Sequence, residues 1–180
     1  MLEITVPAKE YFNDKTETFL NIPEQTLQLE HSLYTISKWE AKWNKAFLGR
    51  REKTPEESDD YIRCMTLTDN VDPMVYLGLT PDNRLKIKEY LNAQMCATYL
   101  PKRTGDKESG DTVTAELIYY WMVSLQIPFE CQYWHLNRLL TLIRVCNLKN
   151  NPPKSRSAKD IGRQNALINA QRQAMYHSRG

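Results

Sequence analysis

Long apolar runs are missing from this sequence. The longest, Leu117 to Leu125, spans nine residues and includes Ser124, about half of the roughly eighteen to twenty that cross a bilayer. A membrane-spanning helix is therefore not expected. The stretch Met1-Leu2-Glu3-Ile4-Thr5-Val6-Pro7 has no basic segment followed by an apolar run. No secretory signal is read there, and a cytosolic protein is expected. Close cysteine pairs are missing as well: Cys64, Cys96, Cys131 and Cys146 stand 32, 35 and 15 residues apart. Without a Cys-x-x-Cys pair or a Cys/His cluster that could recruit His31, His135 or His177, no zinc site and no other metal is expected. The thiols should be free and buried. A Gly-x-x-x-x-Gly-Lys-Ser/Thr phosphate loop is absent, and Lys102 to Asp111, with Gly105 and Gly110 among charges, reads as an exposed loop.

Catalytic constellations are equally thin, and neither a cofactor nor an enzymatic activity is expected. His135 beside Trp134 lacks a partner motif and reads as a satisfied helix residue. Asp59 and Asp60, adjacent on a helix, point about 100° apart and form no carboxylate dyad. They read as solvated charge. Cys131 lies near a helix start, where a thiol can be activated, but its apolar neighbours favour an inert side chain.

What the sequence does have is a charge split, a change of periodicity and two aromatic groups. Residues 149–180 carry seven Lys/Arg against Asp160 alone, a formal +6, whereas the preceding 148 residues carry 17 basic and 21 acidic, a formal −4. The first thirty residues alternate as strands do, at Ile4 and Val6 and again at Leu27 and Leu29. Asn13-Asp14 and Asn21-Ile22-Pro23 supply turn chemistry, so a small antiparallel hairpin is expected.

From Ser37 the signals become helical. Ser37-Lys38-Trp39-Glu40 and Thr54-Pro55-Glu56-Glu57 both fit the capping box. A short turn is expected at Asp72-Pro73. Thr80-Pro81-Asp82 opens a helix with Ile87, Leu91 and Met95 at four-residue spacing, expected to continue to Pro101. Two apolar helices follow, Thr114 to Gln126 and Phe129 to Lys149, separated at Ile127-Pro128. This pair is the expected centre of the core, the second helix burying Leu136, Leu139, Leu140 and Ile143 with Arg138 and Arg144 turned away.

The predicted fold is mainly α: one globular domain over residues 1–149, β-rich over 1–31 and helical over 37–149, then a basic arm over 150–180. Asn150-Asn151-Pro152-Pro153 ends the last core helix. A weakly apolar helix from Ala158 to about Met175 is expected to form mainly against a partner.

Trp39 and Trp43 lie four apart on one helix face, flanked by Lys38, Lys42 and Lys45. Tyr119, Tyr120, Trp121, Tyr133 and Trp134 crowd two consecutive helices. Core packing accounts for much of this. Part of it can serve as a docking surface, because Trp, Tyr and Arg are enriched at binding hot spots. The candidate partner-binding residues are Trp39, Trp43, Tyr120, Trp121, Tyr133, Trp134 and Arg138, together with Lys154, Arg156, Arg163 and Arg172 of the arm. The Trp39–Trp43 pair is expected to be the more exposed group. The arm could engage nucleic acid, but its charge density is low and no stacking platform accompanies it. An acidic protein partner or a solubilising role are its other readings.

Four stretches resemble the tail assembly chaperones of long-tailed bacteriophages. They are Leu29-Glu30-His31-Ser32-Leu33 with Ser37-Lys38-Trp39-Glu40-Ala41-Lys42-Trp43; Lys53-Thr54-Pro55-Glu56-Glu57 to Cys64-Met65-Thr66-Leu67; Ile127-Pro128-Phe129-Glu130; and Trp134-His135-Leu136-Asn137-Arg138-Leu139-Leu140 through Ile143-Arg144-Val145-Cys146-Asn147. The resemblance implies a non-enzymatic assembly factor of the infected bacterial cytoplasm, absent from the mature virion. Such a factor binds the tape measure protein while tail tube protein polymerises around it; self-association is a further contact open to this chain. It also implies a programmed frameshift, which the codons of Pro152-Pro153-Lys154 or Leu148-Lys149-Asn150 permit. A nucleic-acid-binding accessory protein and a structural virion component are the rival expectations.

Overall fold

A computed structural model describes residues 1–13, 17–98 and 112–150, with Ala166 and Asn169, both helical. Two units are distinguished, Met1–Cys146 and Asn147–Gly180, and the architecture below is that of the first. The chain is mainly helical with a small N-terminal antiparallel element, as the periodicity predicts. The loop expected over Lys102–Asp111 and the arm residues Lys154, Arg156, Arg163 and Arg172 lie outside the described residues.

The β element is one interrupted ribbon. Strands β1 (Leu2–Val6) and β4 (Gln25–Leu29) pair antiparallel, as do β2 (Lys9–Asn13) and β3 (Thr18–Ile22). The same register runs through both halves: Leu2 faces Leu29 and Lys9 faces Ile22. Pro7 and Pro23 fall in the gap between them, where each lacks the N–H that a continuous ladder would use. Asn21-Ile22-Pro23 is thus a break in the ribbon rather than the expected turn, with Asn21 and Ile22 still paired in β3. The ribbon also turns over at the break. Ile4, Val6, Leu27 and Leu29 are buried on one face of the proximal half, yet in the distal half Ile22, of the opposite parity in β3, is buried. Both Val6 and Ile22 reach the short 3-10 turn Pro73–Gly78 that Asp72 caps, as predicted, by accepting from Met74 N–H.

Gly78 makes that approach possible, since a Cβ there would lie 2.9 Å from Val6 Cγ1 and 3.3 Å from Ile22 Cγ2. Gly78→Ala is therefore expected to cost about 1–3 kcal/mol by overpacking, read as a lower urea midpoint.

Helix α1 (Leu33–Trp43) begins five residues before the Ser37 start expected from sequence. Ser32 is its N-cap and Thr35 completes the box, the Ser32 oxygen accepting from Thr35 N–H while the Thr35 hydroxyl accepts from Ser32 N–H. Thr therefore does what Glu or Gln usually does at that position. Ser37 instead donates to the Tyr34 carbonyl, one turn back. Helix α2 (Pro55–Met65) starts at the predicted Thr54–Glu57 box.

Helix α3 (Pro81–Asn92) starts as predicted and buries Ile87 and Tyr90, but it stops well before Met95. That residue has φ of 52° and is exposed. Asn137 holds the exit, its side-chain amide donating to the Leu91 and Ala93 carbonyls at 3.1 and 2.8 Å.

Helix α4 (Ala115–Ser124) is capped by Thr114. The predicted second apolar helix divides into a 3-10 turn, Phe129–Tyr133, and α5 (Leu136–Asn150). The division follows from tertiary pairing: His135 forms a backbone bridge with Ser32, and Leu136 N–H donates to the His31 carbonyl at 2.7 Å. A continuous helix would withdraw these groups. Leu136, Leu139 and Ile143 are buried on α5 as expected, with Leu140 half-buried. The centre of the core, however, is α1 rather than the α4–α5 pair, because α1 packs against α2, α4 and the Phe129–Tyr133 turn. Leu33, Ile36 and Trp39 on its inner face are fully buried.

Candidate partner-binding surface

The two tryptophans of α1 do share a face, their rings stacked at 6.1 Å, but that face turns inward. Trp39 is 1% exposed, and its indole N–H donates to the Glu57 carbonyl at 2.9 Å. Trp43 is half-buried and donates to Asp60 Oδ2 at 2.8 Å. The expectation that this is the more exposed group is thus corrected for Trp39. The flanking lysines suggested a wet face because their partners are invisible in the local sequence. Lys42 pairs with Asp60 and Lys45 with Glu57, both carboxylates buried on α2. Lys45 and the Thr54 N–H hold the Glu57 carboxyl below its usual range. Burial opposes ionisation of Asp60, but Lys42 and the Trp43 N–H outweigh it and leave that carboxyl low too. Asp60 is therefore not the solvated charge the sequence suggested. Asp59 pairs with Arg84 at the surface.

The second aromatic group is different. Tyr133 is 56% exposed, and its ring lies 5.3 Å from that of Tyr34 on α1, itself 39% exposed. Tyr119 on α4 stacks on Phe129 at 6.3 Å and donates its hydroxyl to Gln132 at 2.8 Å. Burial is the largest cause of the raised Tyr119 hydroxyl pKa; Gln132, its partner, neighbours Tyr133 in the 3-10 turn, and α1 packs against both α4 and that turn, so the two ring pairs stand on neighbouring elements. Phe129 is 54% exposed. Three elements thus deliver one band of rings: Tyr34 from the first turn of α1, Tyr119 from α4, and Phe129 and Tyr133 from the 3-10 turn. Lys38 lies over the Tyr34 ring at 5.3 Å, and Arg138 over Trp134 at 4.0 Å.

Of the sequence-predicted residues, Tyr133 belongs to this band, and Trp134, next to it in sequence, carries Arg138 on its ring. Tyr120 is 64% exposed on α4, while Trp121 is half-buried against the core. Sequence reasoning missed Tyr34 and Phe129. Tyr34 was legible in principle, being one helical turn from Lys38, but only once the helix is known to start at Ser32.

The remaining polar groups are committed to the fold. His135 donates from Nε2 to the Tyr90 carbonyl at 3.0 Å and accepts from Asn137 N–H on Nδ1 at 3.3 Å. Both nitrogens are thus used in the neutral form, so His135 is satisfied as expected, but it stands in the bridge to Ser32 ahead of α5 rather than in a helix. All four cysteines are free, but only Cys131 is buried as expected, Cys64, Cys96 and Cys146 being half-buried; burial pushes the Cys131 thiol pKa up, which suits an inert side chain. Glu40 accepts from Phe47 N–H at 2.6 Å and from Ala115 N–H at 2.8 Å, so both carboxylate oxygens are occupied. Among the described residues no helix is long and apolar enough to cross a membrane, and no three His, Cys, Asp or Glu side chains converge as metal ligands do. No protein family model matches the chain, and neither a curated protein nor a solved structure is similar to it.

Proposed function

We propose that this chain is a non-enzymatic holding protein, specifically a tail assembly chaperone of a long-tailed bacteriophage. The observation that carries the reading is a band of rings in which Tyr34, Phe129 and Tyr133 are exposed and the half-buried Tyr119 stacks on Phe129. A monomeric protein has little reason to present adjoining large rings to water. Tyrosine and phenylalanine on a rigid surface suit the capture of an amphipathic helix, whose apolar face replaces the water over the rings. The resemblance to tail assembly chaperones supplies the identity of that helix: an apolar segment of the tape measure protein, shielded until tail tube subunits displace the chaperone. On this reading the protein acts in the host bacterial cytoplasm and is left out of the finished virion. A longer form is made by frameshifting near the end of the reading frame.

The chain co-expressed with the tape measure protein of its own genome is expected to retain it on affinity purification and to keep it soluble. Failure to retain it, with the frameshifted form also tested, would exclude the assignment. Stoichiometric peptides from this chain in purified particles would favour a structural component instead.

A further inference from the structure

The distal half of the ribbon carries a second exposed aromatic feature that the holding role does not use. Phe12 and Phe19 face each other across β2 and β3, their rings 5.1 Å apart, and are 45% and 73% exposed. They lie on the face opposite Ile22, which is the face turned toward the Pro73–Gly78 turn. The core therefore does not account for them. A cross-strand Phe pair is stabilising in itself, but such a pair left in water at the end of a projecting ribbon is also an aggregation liability.

The surroundings of this pair carry charge. Glu10, two residues before Phe12 on the same face of β2, is exposed, and so is Glu17, two residues before Phe19. Lys9 belongs to the other face of the strand. Cations of the opposite sign rest on two rings, exposed Lys38 on Tyr34 of the band and exposed Arg138 on Trp134, the residue after Tyr133, and neither is ion-paired to a carboxylate among the described residues. Of the exposed acids near the band, Glu116 belongs with its Tyr119–Phe129 end, among the groups that raise Tyr119, whereas Glu130 and Arg138 both act on the Cys131 thiol. One chain thus presents an aromatic knob beside two acids and an aromatic surface beside two bases.

We propose that a second copy of this chain occupies the Tyr34–Tyr133 end of the band with the Phe12–Phe19 pair of its ribbon, Glu10 and Glu17 meeting Lys38 and Arg138. The contact joins different surfaces of the two copies, so it either closes reciprocally into a dimer or propagates head to tail. It covers both apolar features while no client is present, and a client helix competes with it for the band. The inference goes beyond the holding role and does not rest on the identity of the client.

Sedimentation of the full chain over a concentration series tests it. The wild type is expected to associate reversibly, and more weakly at high salt. Phe12→Ser with Phe19→Ser, both at exposed positions, is expected to weaken association about thirtyfold or more, as loss of an aromatic anchor does. Lys38→Glu with Arg138→Glu is expected to weaken it as well. Adding Glu10→Lys and Glu17→Lys to that variant is expected to restore it, which a merely destabilised fold would not do. A wild type that stays monomeric up to about 1 mM, association indifferent to the Phe substitutions, or no restoration by the charge exchange would overturn the proposal. Retention of the tape measure protein by the Phe12→Ser, Phe19→Ser variant separates the two ideas. If it persists while wild-type self-association is absent, only the ribbon contact falls; if self-association is seen and no client is retained, only the client assignment falls.

Discussion

Glu40→Ala is expected to remove about 2–6 kcal/mol of folding stability, the sum for two buried amides left without acceptors at about 1–3 kcal/mol each. Glu40 is a buried carboxylate on α1 whose two oxygens serve two distant pieces of backbone. One accepts from Phe47 N–H, and the other from Ala115 N–H, the first residue of α4. The first turn of a helix has N–H groups without intrahelical acceptors, and a negative charge there also meets the favourable end of the helix dipole. Phe47 in turn packs its ring on Trp39, Tyr61 and His31. Loss of the carboxylate therefore loosens both the start of the helix that carries Tyr119 and the cluster beneath α1. Glu40→Gln keeps one acceptor oxygen and presents an NH2 group to the other amide, so about half the loss is expected. Urea unfolding of the three proteins, followed by tryptophan fluorescence, measures the series. A Glu40→Ala midpoint equal to wild type would show that these bonds contribute nothing net.

The second large effect is acid sensitivity beginning near pH 6.5. His31 and His135 meet edge to face at 5.1 Å, and His31 Nδ1 is hydrogen-bonded to the Tyr61 hydroxyl at 2.5 Å. Burial, then the neighbouring His135 and then Lys53, pull the His31 pKa from 6.5 down to about 3. Burial also lowers His135, against a partial opposing pull from the Tyr90 carbonyl and Glu30. Below pH 6.5 the unfolded chain takes up protons that the folded chain refuses, so stability falls as pH falls, and for His31 the fall ends only near the folded pKa of about 3. At about 1.4 kcal/mol per unit, His31 alone removes roughly 2–3 kcal/mol by pH 4.5 and about 5 kcal/mol over the whole window. The ion-paired carboxylates Glu57 and Asp60 add their losses below the ordinary carboxylate range, so the interval from pH 6.5 to 5 isolates the histidines. His31→Gln, which keeps a polar partner for Tyr61 and cannot titrate, is expected to lower stability at pH 7 and flatten most of the slope in that interval. Equal slopes for the two proteins would contradict the assignment to His31.

Much of the fold was legible because its signals are local. Thr54, Asp72, Thr80 and Thr114 each cap the element their side chains announce, and the alternation at Ile4, Val6, Leu27 and Leu29 is a pleated ribbon. The departures are places where distant groups decide. The His135–Ser32 bridge splits the expected Phe129–Lys149 helix, and Asn137 holds the exit of α3 before the Leu91 and Met95 pattern can continue. The site was half legible for the same reason. Tyr133, Trp134 and Arg138 lie close together in sequence, but the pairing of Tyr133 with Tyr34 comes from the packing of α1 on the Phe129–Tyr133 turn. Trp39 and Trp43 misled because Glu57 and Asp60, which bury them and neutralise their lysines, come from another helix.

The central claim is that the aromatic band is the surface that holds the partner. The most direct measurement compares retention of the co-expressed tape measure protein by wild type and by a Tyr34→Ser, Phe129→Ser, Tyr133→Ser variant, after equal urea midpoints confirm that both are folded. The account predicts that wild type retains the partner and that the variant loses at least about thirtyfold in affinity, the loss that follows removal of aromatic anchors. Undiminished retention by the folded variant would place the holding surface elsewhere on the chain.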